Sequence, residues 1–192
     1  DAAIEFTGPH SAFENVKKCL EFDIPVVCGS TGWADRLEEI KKICKDKNGS
    51  FIYSSNYSVG VNIFFEVNKK LAALMASHPA YEVILEETHH TQKKDAPSGT
   101  AITLAEQILE QVKRKKQWVN ELSDQPEDLE IISQRIDPAP GTHSIKYSSL
   151  IDTIEIIHTA HTRKGFATGA VLAAEFTNDK KGFFTMKEVL HL

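Results

Sequence analysis

The sequence lacks several features that would point to other classes of protein. None of its apolar runs approaches the length needed to span a bilayer, so we expect no membrane partner. It has no excess of positive charge: the formal net charge is −5, which gives no general attraction to nucleic acid. It contains neither an internal repeat nor a low-complexity segment, which excludes solenoids and disordered linkers.

Cysteine is also scarce. The three residues Cys19, Cys28 and Cys44 have no metal-type spacing, and three thiols cannot all pair with one another. This usage is typical of a reducing compartment, so we predict a cytoplasmic protein whose thiols are small core residues. With 192 residues and 41% hydrophobic content, the chain can bury a real core in one large domain or two small ones.

The first part of the chain alternates between predicted strands and helices. Apolar runs predict strands at 2–6, 24–28 and 50–53, and helical periodicity predicts helices at 11–22 and 35–45. This order favours parallel strands joined by right-handed crossovers, as in a doubly wound α/β (Rossmann-like) sheet. Ligands of such sheets bind beyond the carboxyl ends of the strands. The loops predicted there are 7–8, 29–32 and 54–57.

The remainder of the chain predicts a second arrangement of helices and strands. A long helix is expected at 59–77, and a short strand at 81–85 is followed by a helix at 101–109. Partly alternating runs predict a sheet with one packed face and one available face. Its strands are expected at 130–135, 143–149 and 153–158, followed by helices at 166–176 and 186–190.

A polar loop links the strand at 81–85 to the helix at 101–109. It holds two adjacent histidines, His89 and His90, together with two lysines and an aspartate. The positive charges of histidine and lysine can neutralise an anion, and both side chains can donate or accept protons. A metal site built on the two histidines is not expected, because adjacent side chains diverge and no third ligand is evident.

The end of this loop is suited to binding an anion. Pro97 and Ser98 fit the first turn of a helix, the serine as its cap. Gly99 leaves the backbone uncovered, so the amides near Gly99 and Thr100 could approach an anion closely. Each signal alone is typical of a solvated loop or an ordinary turn, and only their concentration in one loop favours an anion-handling site.

Residues 87–101 resemble the signature of the 4-hydroxy-tetrahydrodipicolinate (dihydrodipicolinate) reductase family. The family pattern Glu-x-His-His-x-x-Lys-x-Asp-Ala-Pro-Ser-Gly-Thr-Ala is matched at every fixed position, and the resemblance covers nearly the whole chain. It implies an oxidoreductase of lysine and diaminopimelate biosynthesis that uses NADH or NADPH. The implied substrate is a small ring dicarboxylate, and the implied assembly is a homotetramer.

The resemblance also implies a division into two domains. Residues 1–57 and 165–192 would form the C-terminal half of a dinucleotide-binding domain. Residues 58–164 would form an α+β domain whose mixed sheet binds substrate and joins the copies of the tetramer.

Roles for individual residues follow from the matching positions. His89 is expected to be the general acid, assisted by Lys93, and His90 and Lys93 to neutralise substrate charge. Ser98, Gly99 and Thr100 are expected to bind a substrate carboxylate. The expected cofactor contacts are Phe6, Thr7, Gly29, Ser30, Thr31, Ser54, Ser55, Asn56 and Tyr57, with Arg163 and Phe166 closing over the cofactor.

The chain departs from the family pattern in two places. Gly8 stands where the family often has arginine, which leaves the choice between NADH and NADPH open. The family's Gly-x-Gly-x-x-Gly turn for the pyrophosphate is not found, so we expect a fragment whose first strand has an unpaired edge. One alternative is a catalytically silent fragment that persists as an assembly module. Another is a nicotinamide oxidoreductase for an amino-acid-derived carbonyl or imine, which the His-His-x-x-Lys spacing disfavours.

Overall fold

The chain folds into two units, and a computed structural model describes all of residues 1–192. The first unit contains Asp1–Asn62 and Lys164–Leu192, and the second contains Ile63–Arg163. The domain limits expected from sequence, after residues 57 and 164, lie a few residues from these boundaries.

The first unit begins with alternating strands and helices. In chain order these are β1 (Ala3–Glu5), α1 (Ala12–Glu21), β2 (Val26–Cys28), a 3-10 turn (Ala34–Arg36), α2 (Leu37–Asp46) and β3 (Ser50–Tyr53). β2 pairs in parallel with both β1 and β3, which confirms the predicted α/β arrangement. β1 lies at the edge of this sheet.

The elements of this unit form because each can bury apolar surface. β2 is buried along its whole length, as expected of a strand covered on both faces. α1 buries Phe13, Val16 and Leu20 at helical spacing, and α2 buries Ile40 and Cys44.

The longest helix, α3 (Val59–Met75), spans the boundary between the two units. It is followed by β4 (Glu82–His89), α4 (Gly99–Gln111), β5 (Gln117–Val119), β6 (Asp128–Arg135), β7 (Gly141–Ser148) and β8 (Thr153–Ala160). The five strands form a mixed sheet in the order β5-β6-β4-β7-β8. The central strand β4 is parallel to β6 and antiparallel to β7, so the predicted mixed sheet is confirmed.

One face of this sheet forms the core of the second unit. Successive side chains of a strand point to opposite faces, so alternate residues of β4, such as Val83 and Leu85, are buried together. Leu104 and Ile108 of α4 belong to the same buried cluster.

The chain then returns to the first unit through α5 (Lys164–Phe176), β9 (Gly182–Phe184) and α6 (Met186–Leu190). β9 adds to the first sheet in parallel with β3. A Cβ atom at Gly169 of α5 would lie 1.7 Å from the carbonyl oxygen of Tyr57, so only glycine lets this helix approach the loop after β3.

Three elements differ from the sequence prediction. β4 continues to His89 rather than ending at residue 85, so His89 is a strand residue and not a loop residue. β5 and β9 were not predicted, because three-residue strands are too short to show a period.

None of the helices is both long enough and apolar enough to cross a membrane.

Candidate active site

The buried face of β4 changes from apolar to polar at its carboxyl end. Val83 and Leu85 are followed on the same face by Glu87 and His89, both of which are buried. The strand register places Glu87 opposite Ser133 of β6 on one side and opposite His143 of β7 on the other. Four polar side chains from three strands therefore meet at one end of the core.

The carboxylate of Glu87 is the centre of this group, and its side chain is fully buried. Oε1 accepts hydrogen bonds from Ser133 Oγ at 2.8 Å and from Arg135 Nη2 at 3.1 Å. The backbone N–H of Ser98 lies 3.1 Å from both carboxylate oxygens. A buried carboxylate is stable only when it is paired and hydrogen-bonded in this way.

Two imidazole rings face the other oxygen. His89 Nδ1 lies 3.4 Å from Glu87 Oε2, and His143 Nε2 lies 3.6 Å from the same atom. His143 Nε2 is also 3.1 Å from Ser98 Oγ. The two rings meet edge to face, with their centroids 5.1 Å apart.

This environment sets the protonation states of Glu87 and His89. Burial would raise the pKa of Glu87, but hydrogen bonds from His143, Ser98 and Ser133 hold it well below its usual range. Burial lowers the pKa of His89 to about 4, and this lowering prevails although the Glu87 carboxylate opposes it. At neutral pH the site therefore holds an ionised Glu87 beside a neutral His89.

The start of α4 confirms Ser98 as the predicted cap, whereas the helix begins at Gly99 and Pro97 precedes the cap instead of lying in the first turn. Ser98 is the N-cap, and its Oγ accepts a hydrogen bond from Ala101 N at 3.2 Å. Gly99 is exposed, and a Cβ atom added there would meet nothing within 4 Å, so the backbone is open to a ligand. Ser98 itself is only 3% exposed, and its hydroxyl and N–H both have partners inside the protein. These internal partners leave little of Ser98 available to a ligand.

The loop between β4 and α4 carries the other cations. Lys93 Nζ lies 2.7 Å from Asp95 Oδ2 in a partly exposed ion pair. Its charge is one of those that lower the pKa of His89. Arg135 Nη2 donates to the carbonyl oxygen of Asp95 at 2.6 Å, which ties the loop to β6. His90 is half-buried at the start of the loop.

Glu87, His89 and His143 could also hold a metal ion, since one ligand atom from each lies within 4.8 Å of the others. The sequence argument considered His89 with His90 and did not foresee this group. However, Arg135 already supplies a positive charge to the carboxylate, and Ser98 and Ser133 donate to its oxygens. These contacts favour a hydrogen-bonded group over a metal centre.

The three predicted cofactor loops of the first unit do meet at the carboxyl ends of its strands. Gly29 N donates to Glu5 O at 2.9 Å, and Ser54 N donates to Cys28 O at 3.3 Å. Gly8 N donates to Ser30 Oγ at 3.0 Å, which joins the first loop to the second.

Phe6 forms the exposed apolar part of this region. It is 53% exposed and packs against Tyr57, with ring centroids 5.7 Å apart. A Cβ atom at Gly29 would lie 2.2 Å from the Phe6 ring, so any larger residue there would displace the ring. Tyr57 is 1% exposed, and its hydroxyl donates to Cys28 O at 2.8 Å, so it braces the loops from inside.

The other predicted cofactor residues differ in how far they are available. Thr31 and Ser55 are exposed and Asn56 is half-buried, whereas Ser30 is buried. Thr7 Oγ1 lies 2.7 Å from Ser11 Oγ, and Ser54 Oγ donates to Asn56 O at 2.7 Å. Arg163 is exposed in the turn before α5, and Phe166 is half-buried in the first turn of that helix.

Four residues of the group around the Glu87 carboxylate received no role from the sequence. Glu87 belongs to the signature, and a carboxylate two residues after Leu85 would have drawn notice had β4 been predicted at its full length. Ser133, Arg135 and His143 lie far from the signature in sequence, and only the strand register reveals them.

Comparison with known proteins gives consistent matches along the whole chain. Family models described as the N-terminus and the C-terminus of dihydrodipicolinate reductase match residues 1–57 and 60–190. The 4-hydroxy-tetrahydrodipicolinate reductase of Christiangramia forsetii is 53% identical over 190 residues, which cover 99% of this chain and 79% of that protein. The reductase of the same name from Alkaliphilus oremlandii is 35% identical over 198 residues, covering 100% of this chain and 80% of that protein.

A solved structure shows the same architecture. The dipicolinate-bound dihydrodipicolinate reductase of Paenisporosarcina sp. TG-14 superposes with a TM-score of 0.73 at 25% sequence identity. The match covers 95% of this chain and 70% of that one.

Proposed function

Since the chain belongs to the dihydrodipicolinate reductase family, we propose that His89 and the start of α4 form its substrate site. The protein is an oxidoreductase of lysine and diaminopimelate biosynthesis that uses a nicotinamide dinucleotide. The proposed reaction converts 4-hydroxy-tetrahydrodipicolinate to tetrahydrodipicolinate with NADH or NADPH. The 4-hydroxyl group leaves as water, and the double bond that this forms takes up a hydride and a proton. The observation that carries the site assignment is the buried contact network joining His89 to the cap of α4.

The substrate is a dianion, and the start of α4 suits one of its carboxylates. The amides of Gly99 and Thr100 and the hydroxyl of Thr100 would bind it, helped by the positive end of the helix dipole. His90 and Lys93 would neutralise the remaining charge. The dipicolinate found in the Paenisporosarcina enzyme is itself a ring dicarboxylate, which supports this class of ligand.

His89 is the proposed general acid. The nicotinamide, when bound, supplies the hydride, and His89 protonates the ring carbon next to the one that receives it. The low pKa of free His89, about 4, leaves it neutral until substrate arrives. A bound dianion favours the imidazolium and raises this pKa again, so binding would load the acid with its proton. Lys93 would assist by adding positive charge near the substrate.

The loops at the carboxyl ends of β1, β2 and β3 are the proposed cofactor site. Phe6 offers an apolar surface to the nicotinamide, and Thr7, Gly29 and Thr31 offer backbone and hydroxyl groups. Residues 54–57 would close the other side, and Arg163 and Phe166 would make additional contacts with the cofactor. Gly8 provides no charged side chain to discriminate NADPH from NADH.

A homotetramer built through the mixed sheet of the second unit is also proposed. β8 is an edge strand, and the hairpin that precedes it exposes Leu150 and Ile151 almost completely. Ile157 of β8 is 58% exposed. Exposed apolar residues on a sheet edge are typical of an assembly surface. The free cysteines and the biosynthetic role fit a cytoplasmic enzyme.

The proposed function is tested by steady-state turnover. The purified chain, given 4-hydroxy-tetrahydrodipicolinate, should oxidise NADH or NADPH, and dipicolinate should inhibit competitively with substrate. The alternative, a silent assembly module, predicts neither turnover nor any enhancement of nicotinamide fluorescence on titration with NADH. A panel of amino-acid-derived carbonyls and imines distinguishes the remaining alternative, another nicotinamide oxidoreductase.

A further inference from the structure

The fully buried carboxylate of Glu87 needs an explanation beyond packing. It follows Val83 and Leu85 on the inner face of β4, where an apolar side chain would continue the core. A buried charge is costly, and well-packed apolar replacements of buried ion pairs are often neutral or stabilising. The polar contacts around Glu87 therefore point to a role in the site.

Glu87 connects three separate parts of the proposed active site. Through Ser98 N it holds the first turn of α4, where the substrate carboxylate would bind. Through Arg135, which also donates to Asp95 O, it holds the loop that carries Lys93. Its Oε2 atom faces Nδ1 of the proposed acid His89 at 3.4 Å.

We propose that Glu87 is a positioning residue, which orients His89 and stabilises its imidazolium form while fixing the start of α4. This proposal rests on the function proposed above. With a carboxylate facing Nδ1, the neutral ring carries its proton on Nδ1, and Nε2 is the nitrogen that takes up and gives the catalytic proton. Gly141 lies beside Nε2, where a Cβ atom would approach within 3.1 Å, so a glycine leaves room around this nitrogen.

His143 completes the arrangement. It contacts both Ser98 Oγ and the Glu87 carboxylate, and its ring packs against that of His89. The His143 ring thus restricts the movement of the His89 ring on the β7 side, opposite the strand β6 that carries Arg135, because β4 lies between β6 and β7.

The main test is the substitution Glu87→Gln, which keeps the size of the side chain and an acceptor oxygen but removes the charge. We expect kcat to fall 10- to 100-fold, with the decline of kcat at high pH moving to lower pH because the imidazolium loses its counter-charge. The matched control is Glu86→Gln. Glu86 is the adjacent residue of β4, and its side chain points to the opposite face of the sheet.

A direct measurement separates positioning from simple structural support. NMR titration of the His89 ring should give a lower pKa in Glu87→Gln than in the wild type, and Glu87→Asp, which restores the charge, should recover part of the difference. A merely structural role would lower the melting temperature without moving this pKa. An unchanged His89 pKa and an unchanged pH profile in Glu87→Gln would overturn the proposal.

The wild-type protein provides a second test that needs no variant. The 15N shifts of the His89 ring should show the proton on Nδ1 in the neutral form, and a proton on Nε2 would contradict the proposal. Zinc titration tests the competing assignment: tight binding of one Zn²⁺ per chain, lost in both Glu87→Gln and His143→Gln, would make the cluster a metal site. Both measurements are independent of turnover, so they can fail while the reductase function stands, and the reverse.

Discussion

The two candidate binding regions of this protein are constructed in different ways. The proposed cofactor loops of the first unit are joined by backbone and hydroxyl contacts, and their largest exposed side chain is the apolar Phe6. The proposed substrate region of the second unit instead surrounds a buried carboxylate with two histidines and an arginine. A flat, neutral nicotinamide needs shape and hydrogen bonds, whereas a dianion that must be protonated needs charge and a controlled pKa.

The largest expected effect concerns the proposed substrate region around His89. His89→Gln should lower kcat by about 100- to 1,000-fold, because the proton donor is lost while the size of the side chain is nearly kept. Cofactor affinity should stay the same, since the loops of the first unit are untouched. Steady-state kinetics and NADH fluorescence titration measure the two quantities. His78→Gln, at an exposed position of the same unit, is the control, and an equal kcat for both variants would remove His89 from the acid role.

The next effect distinguishes the positive charge of Lys93 from the proton transfer by His89. Lys93→Met should raise KM and the dissociation constant for dipicolinate by roughly 10- to 100-fold, because a cation facing a substrate carboxylate is lost. The fall in kcat should be smaller than for His89→Gln. The neighbouring exposed residue offers a matched control, Lys94→Met. Equal effects of the two substitutions would indicate only a general surface charge.

Lowering the pH should reduce the free energy of unfolding, because His89 is buried in its neutral form. An unfolded histidine binds a proton near pH 6.5, whereas folded His89 binds one only near pH 4. As pH falls between these values the unfolded state takes up the proton first, so the free energy of unfolding should be about 2 kcal/mol lower at pH 5 than at pH 7.

Urea denaturation at the two pH values measures this difference, and His89→Gln should reduce it. Glu87 does not contribute in this window. Its lowered pKa makes its stabilising effect disappear only as pH falls below the ordinary glutamate range. A pH dependence of stability that is identical in the wild type and His89→Gln would show that His89 is not the group responsible.

The smallest expected effect concerns the proposed cofactor loops of the first unit. Gly29→Ala would place a Cβ atom 2.2 Å from the Phe6 ring, so the ring must turn aside. We expect the dissociation constant for NADH to rise a few-fold, roughly the loss of one aromatic contact, while dipicolinate binding remains unchanged. Fluorescence titration and calorimetry provide the two readouts. A change in dipicolinate affinity alone would indicate that Phe6 does not belong to a cofactor site.

Sequence reasoning succeeded where a feature is local. The alternation of strands and helices and the Ser98 cap were predicted correctly, since each depends on neighbouring residues or on a short period, whereas the mixed sheet was implied by the family resemblance. It failed where periodicity was absent or interrupted. β4 was ended too early because the polar residues from Glu86 onwards do not look like a buried strand, and the buried position of Glu87 was missed with it.

The sequence by itself determined the family, the alternation of strands and helices in the first unit and the open helix start at Gly99. Each of these features depends on residues that are contiguous in the chain. Only the tertiary structure decided which groups surround His89. Ser133 and His143 reach Glu87 through the pairing of β6 and β7 with β4. Strand register is set by the burial of whole faces, and no single segment of the chain contains that information.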